Sequence, residues 1–135
     1  MAWRDRVGCM KNGRIIIQAG RKPWPHELRV ANILALAGHD VEFICETSIK
    51  MPDIFVDNTA YEIKSPISDK VDAIERNIVR ALEKCPNIIL DSSRMRVGDA
   101  QVLHELVKRR KNGKGMKKVL FINKYSSIID IEKLI

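Results

Sequence analysis

The chain has 135 residues, of which 45% are hydrophobic and 30% charged, and its formal net charge is +7 at pH 7. This composition suits one folded domain with a real core and excludes a disordered chain, while no apolar run approaches the roughly 20 residues of a membrane span. The charged N-terminus lacks the apolar segment of a secretory signal, and three widely spaced cysteines argue against a disulfide framework, so we expect a cytoplasmic protein without a membrane partner.

The first half of the chain predicts one helix and three strands. Pro25 suits the first position of a helix because its missing N–H is harmless there, and Gly38 can end that helix. Residues 41–45 have the composition of a strand. Residues 52–56 and 60–65 then predict a β-hairpin, since they flank residues that favour turns.

The second half predicts alternating helices and strands. A second helix carries apolar residues at helical spacing, namely Val71, Ile74, Ile78, Ala81 and Leu82. Residues 87–90 predict a buried strand, and a third helix follows Gly98. Residues 119–122 predict a fifth strand, and residues 128–135 form a terminal amphipathic piece.

This order of elements predicts an α/β domain of mixed type. A three-strand meander followed by helical crossovers to parallel strands makes one five-stranded mixed sheet that helices cover. We expect a single domain over residues 1–135, with an N-terminal extension (1–22), a core (23–124) and a C-terminal amphipathic segment (125–135).

The hairpin is expected to bring two carboxylates and an ammonium together. With Asn58-Thr59 at its tip, Asp53 faces Lys64 and lies diagonally from Glu62. Glu62 and Lys64 share a face because side chains alternate along a strand. Two converging carboxylates are unfavourable on a half-buried sheet, and a hard cation such as Mg²⁺ or Mn²⁺ would offset their repulsion. The alternative is an exposed charge pair worth less than about 1 kcal/mol.

A metal ion at this position would suit phosphodiester hydrolysis. Asp53, Glu62 and the Ile63 carbonyl oxygen would hold the ion, which polarises the phosphate and lowers the pKa of a bound water. Lys64 would orient or deprotonate that water, or stabilise the developing negative charge. These residues therefore predict a metal-dependent nuclease.

The positive charge of the chain is concentrated in one stretch. Residues 94–118 contain nine basic and two acidic residues, whereas the rest of the chain is neutral. Such a concentration attracts a polyanion, although a solvated helix end and loop is the alternative. The expected nucleic-acid contacts come from this stretch and from the second helix: Arg76, Arg80, Arg94, Arg96, Lys108, Arg109, Arg110 and Lys111.

The hairpin resembles a known nuclease signature. Pro52-Asp53, eight intervening residues and Glu62-Ile63-Lys64 resemble the motif of the PD-(D/E)XK nuclease superfamily, whose restriction-endonuclease-like core has the order αβββαβ. From Glu62-Ile63-Lys64-Ser65-Pro66 through Asn87-Ile88-Ile89-Leu90-Asp91, the chain is most similar to the C-terminal tRNA nuclease domains of contact-dependent growth inhibition toxins. The resemblance covers roughly residues 25–124.

The resemblance extends the predicted site and its partners. It implies that Glu27, in the first turn of the first helix, completes the metal site, although an acidic residue there also complements the helix dipole. It implies structured RNA such as tRNA as substrate, delivery into a target cell's cytoplasm and an acidic immunity protein. A DNA endonuclease of restriction, repair or junction-resolving type and a non-catalytic nucleic-acid-binding module remain alternatives, and the oligomeric state, including a dimer, stays open.

Overall fold

A computed structural model describes residues 12–47 and 51–135, so residues 1–11 of the predicted N-terminal extension lie outside the described residues. The strands are β1 (Ile15–Ile17), β2 (Val41–Phe43), β3 (Ile54–Val56), β4 (Thr59–Lys64), β5 (Asn87–Asp91), β6 (Lys118–Ile122) and β7 (Ile128–Asp130). The helices are α1 (Pro25–Leu36), α2 (Asp72–Leu82), α3 (Asp99–Asn112) and a short 3₁₀ helix (Ile131–Leu134). None of the helices in these two ranges has the length and apolar character that a membrane span requires.

The strands form one mixed sheet in the order of the sequence, with β4 at its centre. Strands β2, β3 and β4 are an antiparallel meander, and β5 and β6 continue the sheet parallel to β4. The predicted mixed class is confirmed, and each of the five predicted strands is present. The described residues form seven strands rather than the predicted five, because β1 pairs with β2 and β7 pairs with β6.

The length and position of β1 and β7 explain why the sequence did not reveal them. Each has only three residues and lies at an edge of the sheet. Ile16 and Ile17 remain about half exposed, so β1 lacks the pattern of a buried strand. Part of the predicted N-terminal extension and of the C-terminal segment therefore belongs to the sheet.

Helices cover both faces of the sheet and divide the core into two layers. On one face, Leu34 of α1 packs in a buried cluster with Phe43. On the other, Ile74 of α2 and Leu106 of α3 pack in a cluster with Leu90. The α1 helix begins at Pro25, as predicted. Because helices pack on both faces of the sheet around the parallel pair β4 and β5, the middle residues of β4 are buried.

The turn of the hairpin lies one residue earlier than predicted. Asp57 and Asn58, not Asn58 and Thr59, form its tip, with φ values of +48° and +69°. Two positive φ values are typical of the type I′ turn, whose twist matches that of the strands. Phe55 therefore pairs with Ala60. The Asp53 backbone N–H donates to the Tyr61 carbonyl oxygen, so Asp53 does not lie opposite Lys64 as predicted. The shift is two positions in register, so the faces of the side chains are unchanged.

Candidate active site

The hairpin places a buried carboxyl group at the middle of the sheet. Glu62 lies on β4, between the antiparallel β3 and the parallel β5, and is 2% exposed. The Lys64 Nζ lies 3.7 Å from the Glu62 Oε2. Asp53 directly precedes β3, where its Oδ2 accepts a hydrogen bond of 2.8 Å from the Ile63 N–H. The structure thus brings Asp53, Glu62, Ile63 and Lys64 together.

The pKa values of both carboxyl groups, Glu62 and Asp53, are raised. Burial raises the pKa of Glu62 to about 8, and the negative charge of Asp53 acts in the same direction. Burial also raises the pKa of Asp53, against the hydrogen bond from Ile63, which lowers it. Among the described residues, no hydrogen-bond partner reaches the buried Glu62 Oε1. A buried acceptor without a partner is unfavourable, and either a proton shared with Asp53 or a bound cation would satisfy this oxygen.

The donor set fits a small, hard cation. Within residues 12–47 and 51–135, no three side chains of His, Cys, Asp or Glu are grouped so that they could together hold a metal ion. Asp53 and Glu62 therefore supply at most a two-carboxylate site. Mg²⁺ is usually bound by one or two carboxylates, with water and substrate phosphate as its other ligands. The unpartnered Glu62 Oε1 fits that arrangement.

Glu27 lies next to the carboxyl pair but is held by other partners. Its Oε1 accepts hydrogen bonds from the Trp24 backbone N–H (2.8 Å) and the Arg21 Nη1 (3.2 Å). The Arg21 Nη2 donates to its Oε2 at 3.1 Å and lies 3.8 Å from the Asp53 Oδ1. Arg21 therefore stands between two of the predicted metal ligands. The direct binding of metal by Glu27 stays a prediction.

Lys84 is a second ammonium that the sequence did not identify. Its Nζ lies 3.8 Å from the Glu62 Oε2 and 3.5 Å from the Glu46 Oε1. Burial lowers the pKa of Lys84, but the surrounding carboxylates outweigh that effect and the pKa is raised. Glu62 thus lies between two ammonium groups, those of Lys64 and Lys84.

A further polar cluster, also missed from the sequence, lies at the carboxyl ends of β4 and β5. Asp91 is fully buried, accepts a hydrogen bond from the Arg29 Nη1 at 2.7 Å and is also bonded by the Ser65 and Ser93 hydroxyl groups. Arg29 belongs to α1, so this ion pair fixes α1 to the carboxyl end of β5. The Arg94 guanidinium donates to the Ser65 carbonyl oxygen at 2.6 Å.

The predicted nucleic-acid contacts separate into two groups. Arg94 and Arg96 are exposed and line a shallow pocket after β5. Arg109 instead pairs with Glu105 and Glu75, and Arg110 pairs with Glu132. The remaining predicted contacts are exposed on α2 and α3: Arg76, Arg80, Lys108 and Lys111. Two of the eight cations are therefore partly neutralised by acidic neighbours.

One family model and one solved structure are similar to this chain. The family model described as the contact-dependent growth inhibition CdiA C-terminal domain matches residues 50–128, which is more than half of the chain and includes Asp53, Glu62 and Lys64. Among solved structures, the fold is similar to that of a CdiA-CT/CdiI toxin and immunity complex from Burkholderia pseudomallei. That match has a TM-score of 0.68 and 19% identity, over 87% of this chain and 98% of the other. No curated protein matches the chain.

Proposed function

Because the chain belongs to the family of contact-dependent growth inhibition CdiA C-terminal domains, we propose that it is a toxin with metal-dependent endonuclease activity of the PD-(D/E)XK type. One observation carries this proposal: the buried Glu62 has an unpartnered oxygen, lies next to the Asp53 carboxyl group and is 3.7 Å from the Lys64 ammonium. A buried acidic pair beside an ammonium suits the capture of Mg²⁺ or Mn²⁺ and of a phosphate group.

The residues divide the proposed chemistry among them. Asp53 and Glu62 hold the ion, and the Ile63 carbonyl oxygen is a further proposed ligand. When bound, the ion supplies Lewis-acid polarisation of the phosphate and a water of lowered pKa. Lys64 orients the attacking water and stabilises the negative charge that develops on the phosphate. Its partly buried position limits the motion of the ammonium group and keeps it close to Glu62.

The proposed substrate is structured RNA such as tRNA. The resemblance of the hairpin and of β5 to tRNA nuclease domains supports this choice, and the exposed cations supply phosphate contacts for any nucleic acid. Arg94 and Arg96 are the proposed contacts nearest to the ends of β4 and β5, since the Arg94 side chain bonds the Ser65 carbonyl oxygen.

The test is hydrolysis by the purified full chain. We would incubate it with total tRNA, plasmid DNA and branched DNA in Mg²⁺ or Mn²⁺, with and without EDTA. Cleavage of tRNA that EDTA stops, and that Glu62→Gln and Lys64→Met each reduce at least 100-fold, is the expected result. Glu83→Gln is the matched control, because Glu83 is an exposed carboxylate outside the site.

The outcomes separate the alternatives. Preferential cleavage of DNA would contradict RNA as the substrate but would support metal-dependent phosphodiester hydrolysis. Salt-sensitive binding of nucleic acid without cleavage in either Mg²⁺ or Mn²⁺ would contradict an enzymatic function and favour a non-catalytic binding module. In either case, native circular dichroism of the variants must show that the fold is intact.

The toxin proposal adds a partner and a place of action. We propose that the domain acts in the cytoplasm of a target cell and that an immunity protein protects the producer. That protein would carry acidic groups, since it must cover a basic surface. Expression of the wild type should arrest growth, whereas Glu62→Gln should not. Equal growth arrest by both chains would contradict a toxic nuclease.

A further inference from the structure

Arg21 occupies the space between the carboxyl groups of α1 and the hairpin. Its two terminal nitrogens bind the two oxygens of Glu27, and Nη2 also lies 3.8 Å from the Asp53 Oδ1. The Arg21 Nε donates to the Ile44 carbonyl oxygen at 3.0 Å. The guanidinium carbon lies 5.3 Å from the centre of the Phe43 ring. Contacts in four directions thus fix the position of this cation.

The surroundings of Arg21 make it part of the site rather than a surface group. Its side chain is 13% exposed, and those of Glu27 and Asp53 are 9% and 13% exposed. A fixed bidentate pair with a carboxylate is among the stronger charged contacts in proteins. Removing the guanidinium would leave these two buried carboxylates with only backbone hydrogen-bond donors, the Trp24 N–H for Glu27 and the Ile63 N–H for Asp53. An ion that bound both of them would therefore have to displace Arg21.

Glu62 and Glu27 differ in whether their carboxyl oxygens have hydrogen-bond partners. Glu62 Oε1 has no hydrogen-bond partner among the described residues. Both oxygens of Glu27, by contrast, already accept hydrogen bonds from Arg21, and Oε1 also accepts one from the Trp24 N–H. The unsatisfied oxygen is thus on Glu62, beside Asp53, whereas Glu27 already binds the positive charge of Arg21.

We propose that Arg21 takes the place of a second divalent cation and restricts the site to one ion, which Asp53 and Glu62 hold. This inference rests on the proposed metal-dependent function. It makes Arg21 a positioning residue: it holds Glu27 and one side of Asp53 and leaves the other side of Asp53 to the metal. Glu27 then supports Arg21 and does not bind the ion.

The number of bound ions tests this inference. Mn²⁺ would be titrated into the full chain by calorimetry, and electron paramagnetic resonance would report spin coupling between neighbouring ions. The wild type should bind one uncoupled ion. Arg21→Met should bind two coupled ions, because Glu27 and Asp53 are then free to hold a second. Lys22→Met is the matched control: Lys22 lines the same pocket but forms no ion pair with Glu27 or Asp53.

A second variant covers the case in which Arg21→Met fails to fold. Glu27→Gln in the presence of Arg21 should leave the Mn²⁺ affinity within about twofold of wild type, whereas Asp53→Asn should lower it at least tenfold. A tenfold loss in Glu27→Gln would make Glu27 a ligand and overturn the inference.

The outcomes also distinguish this inference from the proposed function. A wild type that binds no Mn²⁺ contradicts both. A wild type that binds two ions contradicts only the role of Arg21. A folded Arg21→Met variant that still binds a single ion, with unchanged affinity, also contradicts only that role.

Discussion

Glu62 is a carboxyl group whose burial favours its protonated form. Its pKa rises from 4.5 to about 8 because it is buried and lies beside Asp53. Between these pH values the folded chain binds more protons at this position than the unfolded chain does. The free energy of unfolding should therefore fall as the pH rises from about 4.5 to 8, by at most about 1.4 kcal/mol per pH unit.

Urea unfolding in EDTA at pH 5, 6.5 and 8 would measure that slope. Glu62→Gln should remove most of it, because an amide does not ionise. The Glu83→Gln variant, in which an exposed carboxylate is replaced, should retain it. An equal slope in wild type and Glu62→Gln would show that other groups cause the dependence.

Lys84 is expected to restrain the pKa of Glu62. Its ammonium lies 3.8 Å from the Glu62 Oε2, and its charge favours the ionised carboxylate. Lys84→Met should therefore raise the pKa of Glu62 further, which a carboxyl ¹³C NMR titration would follow. Lys118→Met, a change at the exposed start of β6, is the control. An unchanged or lower pKa in Lys84→Met would contradict the contact.

At the scale of the elements, the hairpin depends on the backbone conformation of its turn. Asn58 has a φ of +69°, a conformation that glycine and asparagine accept but β-branched residues do not. Asn58→Val should lower the free energy of unfolding by about 1–2 kcal/mol. Asn58→Gly should lower it much less, since glycine adopts positive φ readily. Urea denaturation measures both, and equal losses would argue against a type I′ turn.

The same hairpin shows how far the sequence determines the site. The alternation of side chains placed Asp53, Glu62 and Lys64 on one face, and that result is the same for a two-residue turn at either position. The opposing pairs do depend on the position of the turn: with the tip one residue earlier, Asp53 no longer faces Lys64, and its backbone N–H bonds the Tyr61 carbonyl oxygen. Turn residues at 57, 58 and 59 left this choice open, and the hydrogen bonds of Asp57 with His39 and Asp40 contribute to fixing it.

Contacts between distant segments could not be predicted. Helix α1 followed from Pro25 and Gly38, but its ion pair from Arg29 to Asp91 joins residues 62 positions apart. The contact of Lys84 with Glu62 likewise needs the path of the chain from α2 into β5. Arg21 lies before α1 in a segment without periodicity. Each of these charges compensates a buried carboxylate, and burial is known only once the layers are packed.

For the whole molecule, the distribution of charge matters more than its sum. The net charge of +7 includes Arg109 and Arg110, whose acidic partners lie within 3.0 Å, whereas Arg94 and Arg96 are exposed. Binding of tRNA should therefore depend more on Arg94 and Arg96 than on Arg109 and Arg110. Each phosphate contact adds roughly 0.7–0.9 to the slope of log affinity against log salt.

Measured on the inactive Glu62→Gln background, the double change Arg94→Gln and Arg96→Gln should reduce that salt slope by about one to two, if each contacts a phosphate. The double change Arg109→Gln and Arg110→Gln removes the same formal charge and is the matched control. Its slope should change less, because these guanidinium groups exchange a carboxylate partner for a phosphate on binding. Equal reductions in the two variants would show that net charge alone governs binding.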